Sequence, residues 1–130
     1  MNKRHQWRFN VAQKLREPDT VIYLEFVRKA LAGLPGVTEK PCYGTPGFYA
    51  GKKLFCRLRE DGKTFVVYNP ERDRWMDRKP DTFFITDHYL NTDYMLVDLE
   101  SVVPEELAEL LVKAWRSRAT KKLITEYENN

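Results

Sequence analysis

Apolar residues recur at three- and four-residue steps near the start of the chain, at Val21, Leu24, Val27, Ala30 and Leu31. That spacing puts one stripe on a helix. Pro18-Asp19-Thr20 supplies its start, with Asp19 or Thr20 expected as the cap. Gly33 and Pro35-Gly36 supply its end. The period then changes. Thr38–Tyr43 reads as a strand held to an edge by Pro41, Gly44-Thr45-Pro46-Gly47 as a turn, and Phe48-Tyr49-Ala50 as a short strand. Leu54–Glu60 and Lys63–Asn69 flank Asp61-Gly62, a pair suited to a type I′ hairpin turn. Counting outward from it opposes Leu58 to Phe65, Arg57 to Val66, Cys56 to Val67 and Phe55 to Tyr68. Alternation then sends Leu58, Phe65, Cys56 and Val67 to the core. Phe55, Arg57, Arg59, Thr64, Val66 and Tyr68 go to a mixed outer face.

Asn69-Pro70 opens a short helix through Trp75 and Met76, which ends before Pro80. Thr82–Thr86 and Tyr94–Leu99 read as strands. The last helix starts near Pro104 and carries Leu107, Leu110, Leu111 and Ala114 on its buried stripe. The order α-β-β-β-β-α-β-β-α predicts an α+β two-layer sandwich, an antiparallel sheet with helices on one face. At 130 residues the chain holds one domain, placed at 18–123 between a charged N-terminal extension (1–17) and a C-terminal tail (124–130).

Composition narrows the class. A chain 42% hydrophobic and 13% aromatic folds around a core. No apolar run approaches the ~20 residues of a membrane span, and none follows Met1-Asn2-Lys3-Arg4, so the expectation is a cytoplasmic protein without a secretory signal. Cys42 and Cys56 are expected as free thiols. Scattered histidines and cysteines lack zinc-ligand spacing, Asp81, Asp87 and Asp93 lie too far apart for a calcium loop, and no glycine-rich phosphate loop is present. No metal or cofactor is expected. His88, after Asp87 and before Tyr89, is the one candidate base in the domain, and a loop role suits it better. The chain is not expected to be an enzyme.

The net charge of +3 matters less than its distribution. Lys3, Arg4, Arg8, Lys14 and Arg16 crowd one end, and Lys113, Arg116, Arg118, Lys121 and Lys122 the other. The helix macrodipole accommodates cations in a last turn, as it accommodates Glu105 and Glu106 in a first. The C-terminal set also suits a phosphate backbone. Two further surfaces qualify: the outer sheet face, where Phe55 and Tyr68 beside Arg57 and Arg59 suit base stacking or a protein partner, and a small-molecule cleft among Tyr43, Thr45, His88 and Tyr89.

Several segments in series carry a resemblance: Leu31-Ala32-Gly33-Leu34-Pro35-Gly36-Val37 with Glu39-Lys40, Tyr43-Gly44-Thr45-Pro46 with Phe48, Gly51-Lys52-Lys53-Leu54-Phe55-Cys56, Phe83-Phe84-Ile85-Thr86-Asp87-His88-Tyr89, and Pro104-Glu105-Glu106-Leu107 with Ala114-Trp115. Over residues 20–123 the chain resembles the MmcQ/YjbR family of proposed DNA-binding proteins. The resemblance implies a fold of the kind seen in secretion chaperones, and weak, largely sequence-nonspecific DNA binding by β-hairpin wings beside a basic helix. Carried over by position, the wings hold Lys52, Lys53 and Lys63, and the helix holds Arg116, Arg118, Lys121 and Lys122, with Lys113 one turn earlier. DNA or a protein are the expected partners, and a monomer or weak dimer the expected state.

Overall fold

A computed structural model describes residues 17–130. Residues 1–16, which hold the basic residues of the N-terminal extension and the positions Trp7, Val11 and Leu15 where a short helix is expected, lie outside the described residues. Helix α1 (Pro18–Leu31) leads into strands β1 (Val37–Cys42), β2 (Thr45–Ala50), β3 (Lys53–Leu58) and β4 (Thr64–Tyr68). Helix α2 (Arg72–Arg78), the short β5 (Phe83–Phe84), a 3-10 turn (Asp87–Tyr89), β6 (Tyr94–Asp98) and helices α3 (Pro104–Arg118) and α4 (Lys121–Glu128) follow. The six strands form one open antiparallel sheet in the order β1-β2-β3-β4-β6-β5. The fold is α+β.

The core lies between the sheet and α1 and α3. Leu24, Val27 and Leu31 of α1 meet Leu107, Leu110, Leu111, Ala114 and Trp115 of α3 over Phe48, Cys56, Leu58, Phe65, Val67, Met95 and Val97. Trp75 of α2 closes one side, edge-on to Phe83 at 5.3 Å. Pro18 takes the first position of α1, where a missing N–H costs nothing. Neither expected cap is used: Glu17 occupies the N-cap without a side-chain bond. Thr20 instead donates its hydroxyl proton to Gly62 O at 2.8 Å and ties α1 to the β3–β4 turn.

The hairpin register counted from Asp61-Gly62 is the observed one, with Cys56, Arg57 and Leu58 opposite Val67, Val66 and Phe65. The turn itself differs. Gly62 N donates to Arg59 O at 3.1 Å and only Gly62, at φ +73°, is left-handed, so Asp61 does not sit in a type I′ pair. Its carboxylate accepts from Lys63 N, Thr64 N and the Thr64 hydroxyl at 2.6–3.0 Å. Burial pushes the Asp61 carboxyl up, but these hydrogen bonds outweigh it and leave its pKa below the ordinary value. A lowered folded-state pKa gives stability that is present above the unfolded value, near 4, and is lost as pH falls through the folded one. Asp61→Asn is therefore expected to flatten the fall of melting temperature below about pH 4, a difference that thermal scans between pH 2 and 6 will resolve.

The true two-residue hairpin turn lies where a longer turn cluster was expected. Cys42 faces Thr45, and the intervening Tyr43 and Gly44 have φ of +52° and +80°. Both central residues are left-handed, as in a type I′ turn. Pro46 and Gly47 belong to β2. In Gly47 a Cβ would come within 2.8 Å of the Cys42 Cβ, so the close approach of β1 requires glycine.

A second correction concerns Phe55. The β2–β3 register slips by one residue between Phe48/Cys56 and Tyr49/Leu54, a bulge that leaves Phe55 as the extra residue. It turns inward and is fully buried in the main core, so it forms no outer-face platform with Tyr68. The outer face is also covered at its centre, where Val66, Leu96 and Tyr89 make a second buried cluster with Phe84, Ile85 and Tyr94 around it.

The C-terminus carries the third. The expected single helix ends at Arg118, and Ala119 and Thr120 are extended, at ψ 152° and 159°. Thr120 then caps α4, its hydroxyl oxygen accepting from Leu123 N at 3.3 Å. Leu123, Ile124 and Tyr127 pack on the core, so the segment read as a tail from residue 124 belongs to the fold. Both thiols are free, and burial raises the Cys56 pKa well above its ordinary value.

Candidate functional site

The topology sorts the charged residues into two ends. The Thr20–Gly62 bond places the start of α1 at the β3–β4 turn. Leu99 N donates to Lys63 O at 2.9 Å, which places the approach to α3 there as well. At the other end Gly51 N donates to Gly36 O at 3.0 Å, so the β2–β3 turn meets the loop after α1. Trp115 Nε1 donates to Pro35 O at 3.0 Å and brings the last turns of α3 to the same loop. Leu123 of α4 packs over Gly36 there, where a Cβ would meet its methyl groups at 2.7 Å. Helices α1 and α3 thus run the same way, and both carboxyl ends share one end of the molecule.

That end is basic. It gathers Arg28 and Lys29 from the last turn of α1, Arg116 and Arg118 from α3, Lys52 and Lys53 from the β2–β3 turn, and Lys121 and Lys122 from the start of α4. The opposite end holds Asp19, Asp61, Asp98, Glu100, Glu105 and Glu106, with Arg59 at the β3–β4 turn and Arg78 and Lys79 paired to Glu106. Lys63 stands among these acids, 3.5 Å from Glu100, and β3 separates it from Lys52 and Lys53 by about 20 Å of strand. The two expected wings therefore project from opposite ends, and only the β2–β3 turn lies with the basic helices.

The cations at the basic end are not equivalent. Arg28 is held by Glu39 in a bidentate pair at 2.9 and 2.7 Å, and Arg116 by Glu128 at 3.0 Å. The Arg118 guanidinium lies 4.4 Å from the centre of the Tyr68 ring, with Nε buried and without a hydrogen-bond partner among the described residues. Lys113 and Arg116 line a cleft of about 300 Å³ with Tyr68, Asn69, Pro70 and Glu71. Among the described residues, Lys52, Lys53, Lys113, Lys121 and Lys122 form no ion pair. Lys121 and Lys122 are also the first two residues of α4, where the helix dipole opposes a cation. Dipole complementarity accounts for Arg116 and Arg118 and does not account for these two lysines.

The expected cleft residues converge on a residue that the sequence did not assign to them. Arg57, buried on the outer face, donates from Nη1 to Thr45 Oγ1 at 3.3 Å and from Nη2 to Tyr89 Oη at 3.4 Å. The Tyr43 ring stands 5.2 Å from its guanidinium. His88 is exposed and edge-on to Tyr89 at 4.8 Å, so it borders the group without touching Arg57. Arg72 fixes Tyr89 from behind, donating to the carbonyl oxygens of Tyr89, Tyr94 and Leu90 at 2.9, 2.7 and 3.0 Å. The sequence assigns Arg57 to the outer-face surface and not to this cleft, and Arg72 looks like an ordinary surface cation in the charged stretch Glu71–Arg74.

A small domain of this kind, an open six-stranded antiparallel sheet with two parallel helices on one face and charge divided between its ends, defines a class of α+β fold. Comparison with protein families matches residues 32–117 to YjbR. The chain belongs to the YjbR family. Among solved structures it is similar to Deinococcus radiodurans protein DR2400, a DUF419 domain, with a TM-score of 0.61 and 22% identity over 78% of this chain and 84% of that one. At that identity the likeness is one of fold. No curated protein matches.

No helix among the described residues is long and apolar enough to cross a membrane.

Proposed function

We propose that the protein binds duplex DNA through its basic end, without catalysis and largely without regard to sequence. The observation that supports this most is the placing of Lys121 and Lys122 at the start of α4. Two cations against an unfavourable dipole at a helix start make an arrangement better suited to a phosphate than to the free helix. Lys52 and Lys53 lie at the same end and extend the surface, and Lys113 adds a cation in the neighbouring cleft. Contacts of this kind neutralise phosphates and read no base edges.

Counterion release fixes the expected behaviour. With about five phosphates neutralised, log K falls against log salt with a slope near −4.5, or about 500-fold between 50 and 200 mM. Fluorescence anisotropy on two duplexes of unrelated sequence is expected to give that slope for both. A salt-independent affinity, or a preference of more than about tenfold for one duplex, would contradict the reading.

A further inference from the structure

The arginines of this chain differ in how they are satisfied. Arg28 meets a carboxylate at 2.7 and 2.9 Å, and Arg72 meets three carbonyl oxygens at 2.7–3.0 Å. Arg57 is the most deeply set of the three and the worst partnered. Its contacts are Thr45 Oγ1 at 3.3 Å, Leu58 O at 3.2 Å, Glu60 Oε1 at 3.5 Å and Tyr89 Oη at 3.4 Å. Three of them exceed the 2.7–3.2 Å of an ordinary N–H···O hydrogen bond, and the Leu58 contact stands at its upper limit. Three of the four fall on Nη1, and among the described residues Nε donates to nothing. The Nε and Nη2 edge, the fork that takes a carboxylate or phosphate side-on, is therefore open.

The surroundings make this costly for the fold alone. Arg57 faces Val66 and Gly47 across the strands and adjoins the cluster of Val66, Leu96 and Tyr89. A cation in such a place is poorly tolerated unless an anion matches it, and an apolar side chain of similar length suits the site as well or better. Glu60 offers one long contact from a partly exposed carboxylate.

Two neighbours suit an incoming anion. Tyr89 Oη accepts from Arg57, and its own proton has no acceptor among the described residues, so it can donate to the same oxyanion. Tyr43 is 82% exposed at φ +52°, a conformation that a bulky residue rarely holds and that asparagine or glycine adopts readily. The turn thus holds an aromatic ring in a disfavoured conformation, 5.2 Å from the guanidinium.

We propose that Arg57, Tyr89 and Tyr43 form a binding site for a small oxyanion, a carboxylate or phosphate carried on a planar ring. The anion lies side-on against Nε and Nη2 of Arg57 and accepts the Tyr89 hydroxyl proton. The ring stacks on Tyr43. The site lies on the outer face of the sheet and is independent of the lysines at the basic end.

The test is a titration of the full chain with benzoate, adenosine 5′-monophosphate and inorganic phosphate in turn, followed by the Arg57 Nε–H resonance. Saturable shifts with benzoate or the nucleotide are expected. Phosphate binding as tightly as both would overturn the planar-ring component. Arg57→Met is expected to fold and to lose binding at least tenfold. Glu60→Gln, which removes the one carboxylate paired with Arg57 among the described residues, is expected to tighten binding about fivefold. Tyr43→Asn is expected to raise the melting temperature and to weaken the two ring-bearing probes while leaving phosphate unchanged. Should Arg57→Met fail to fold, the Glu60 and Tyr43 variants still decide the matter. No saturable shift with any probe, or a Glu60→Gln protein that binds no more tightly, would overturn the proposal. Charge reversal of Lys121 and Lys122 is expected to leave these titrations unchanged, which separates this site from the DNA reading.

Discussion

Trp115→Ala is expected to destabilise the protein by about 3–5 kcal/mol and to lower its melting temperature by roughly 10–20 °C. Trp115 is fully buried, so its removal leaves a cavity that the surrounding helices and sheet fill only in part. It also donates from Nε1 to Pro35 O and stands edge-on to Tyr127 at 5.3 Å. One side chain therefore joins α3, the loop after α1, and α4. Trp115→Phe keeps most of the volume but leaves the Pro35 carbonyl without its donor, and about 1–2 kcal/mol is expected from that loss. Urea unfolding of both variants checks the pair. An alanine variant that loses less than about 1 kcal/mol would mean that the basic end is not assembled around this residue.

Lys121→Glu with Lys122→Glu is the second large effect. In the free protein the exchange places two carboxylates in the first turn of α4, where the dipole favours them by about 0.3–1 kcal/mol each. The fold is expected to be at least as stable as the parent. Binding to duplex DNA is expected to weaken at low salt by well over tenfold. The salt slope should fall from about −4.5 to about −2.7, as two of about five phosphate contacts disappear. A structural role for these lysines predicts the reverse, a less stable fold with unaltered binding. Circular dichroism melts and anisotropy on the same preparation distinguish the two.

The fold was legible where hydrophobic period and turn position agree. The stripe Leu24, Val27 and Leu31, the stripe Leu107, Leu110, Leu111 and Ala114, and the register opposing Leu58 to Phe65 follow from alternation and from the position of Asp61-Gly62, even though that turn takes another geometry. Two features were not legible, each for a physical reason. Phe55 is swung into the core by a bulge, and one extra residue in a strand leaves no mark on an apolar sequence. The break before α4 lies in a basic stretch that reads as continuous helix, and its one signal is Thr120, a cap residue followed by no acidic partner.

The candidate site divides the same way. The basic residues were visible as composition, but which of them share an end depends on the parallel run of α1 and α3, a property of long-range packing. Lys63 shows the consequence, since its sequence context matches that of Lys52 and Lys53 while its place is the acidic end. The sequence offers Tyr43, Thr45, His88 and Tyr89 as one cleft, of which His88 only borders the group in the fold. Only the pairing of β2 with β3 and the folding of the 3-10 turn over the outer face bring Tyr43, Thr45 and Tyr89 to Arg57.

The most direct test of the central claim is a map of backbone amide shifts in the full chain on addition of a short duplex at low salt. The account predicts that the perturbed amides cluster at Gly51–Lys53 and Lys113–Leu123 and leave Glu60–Lys63 in place. Perturbation centred on Glu60–Lys63, or no perturbation at the start of α4, would contradict it.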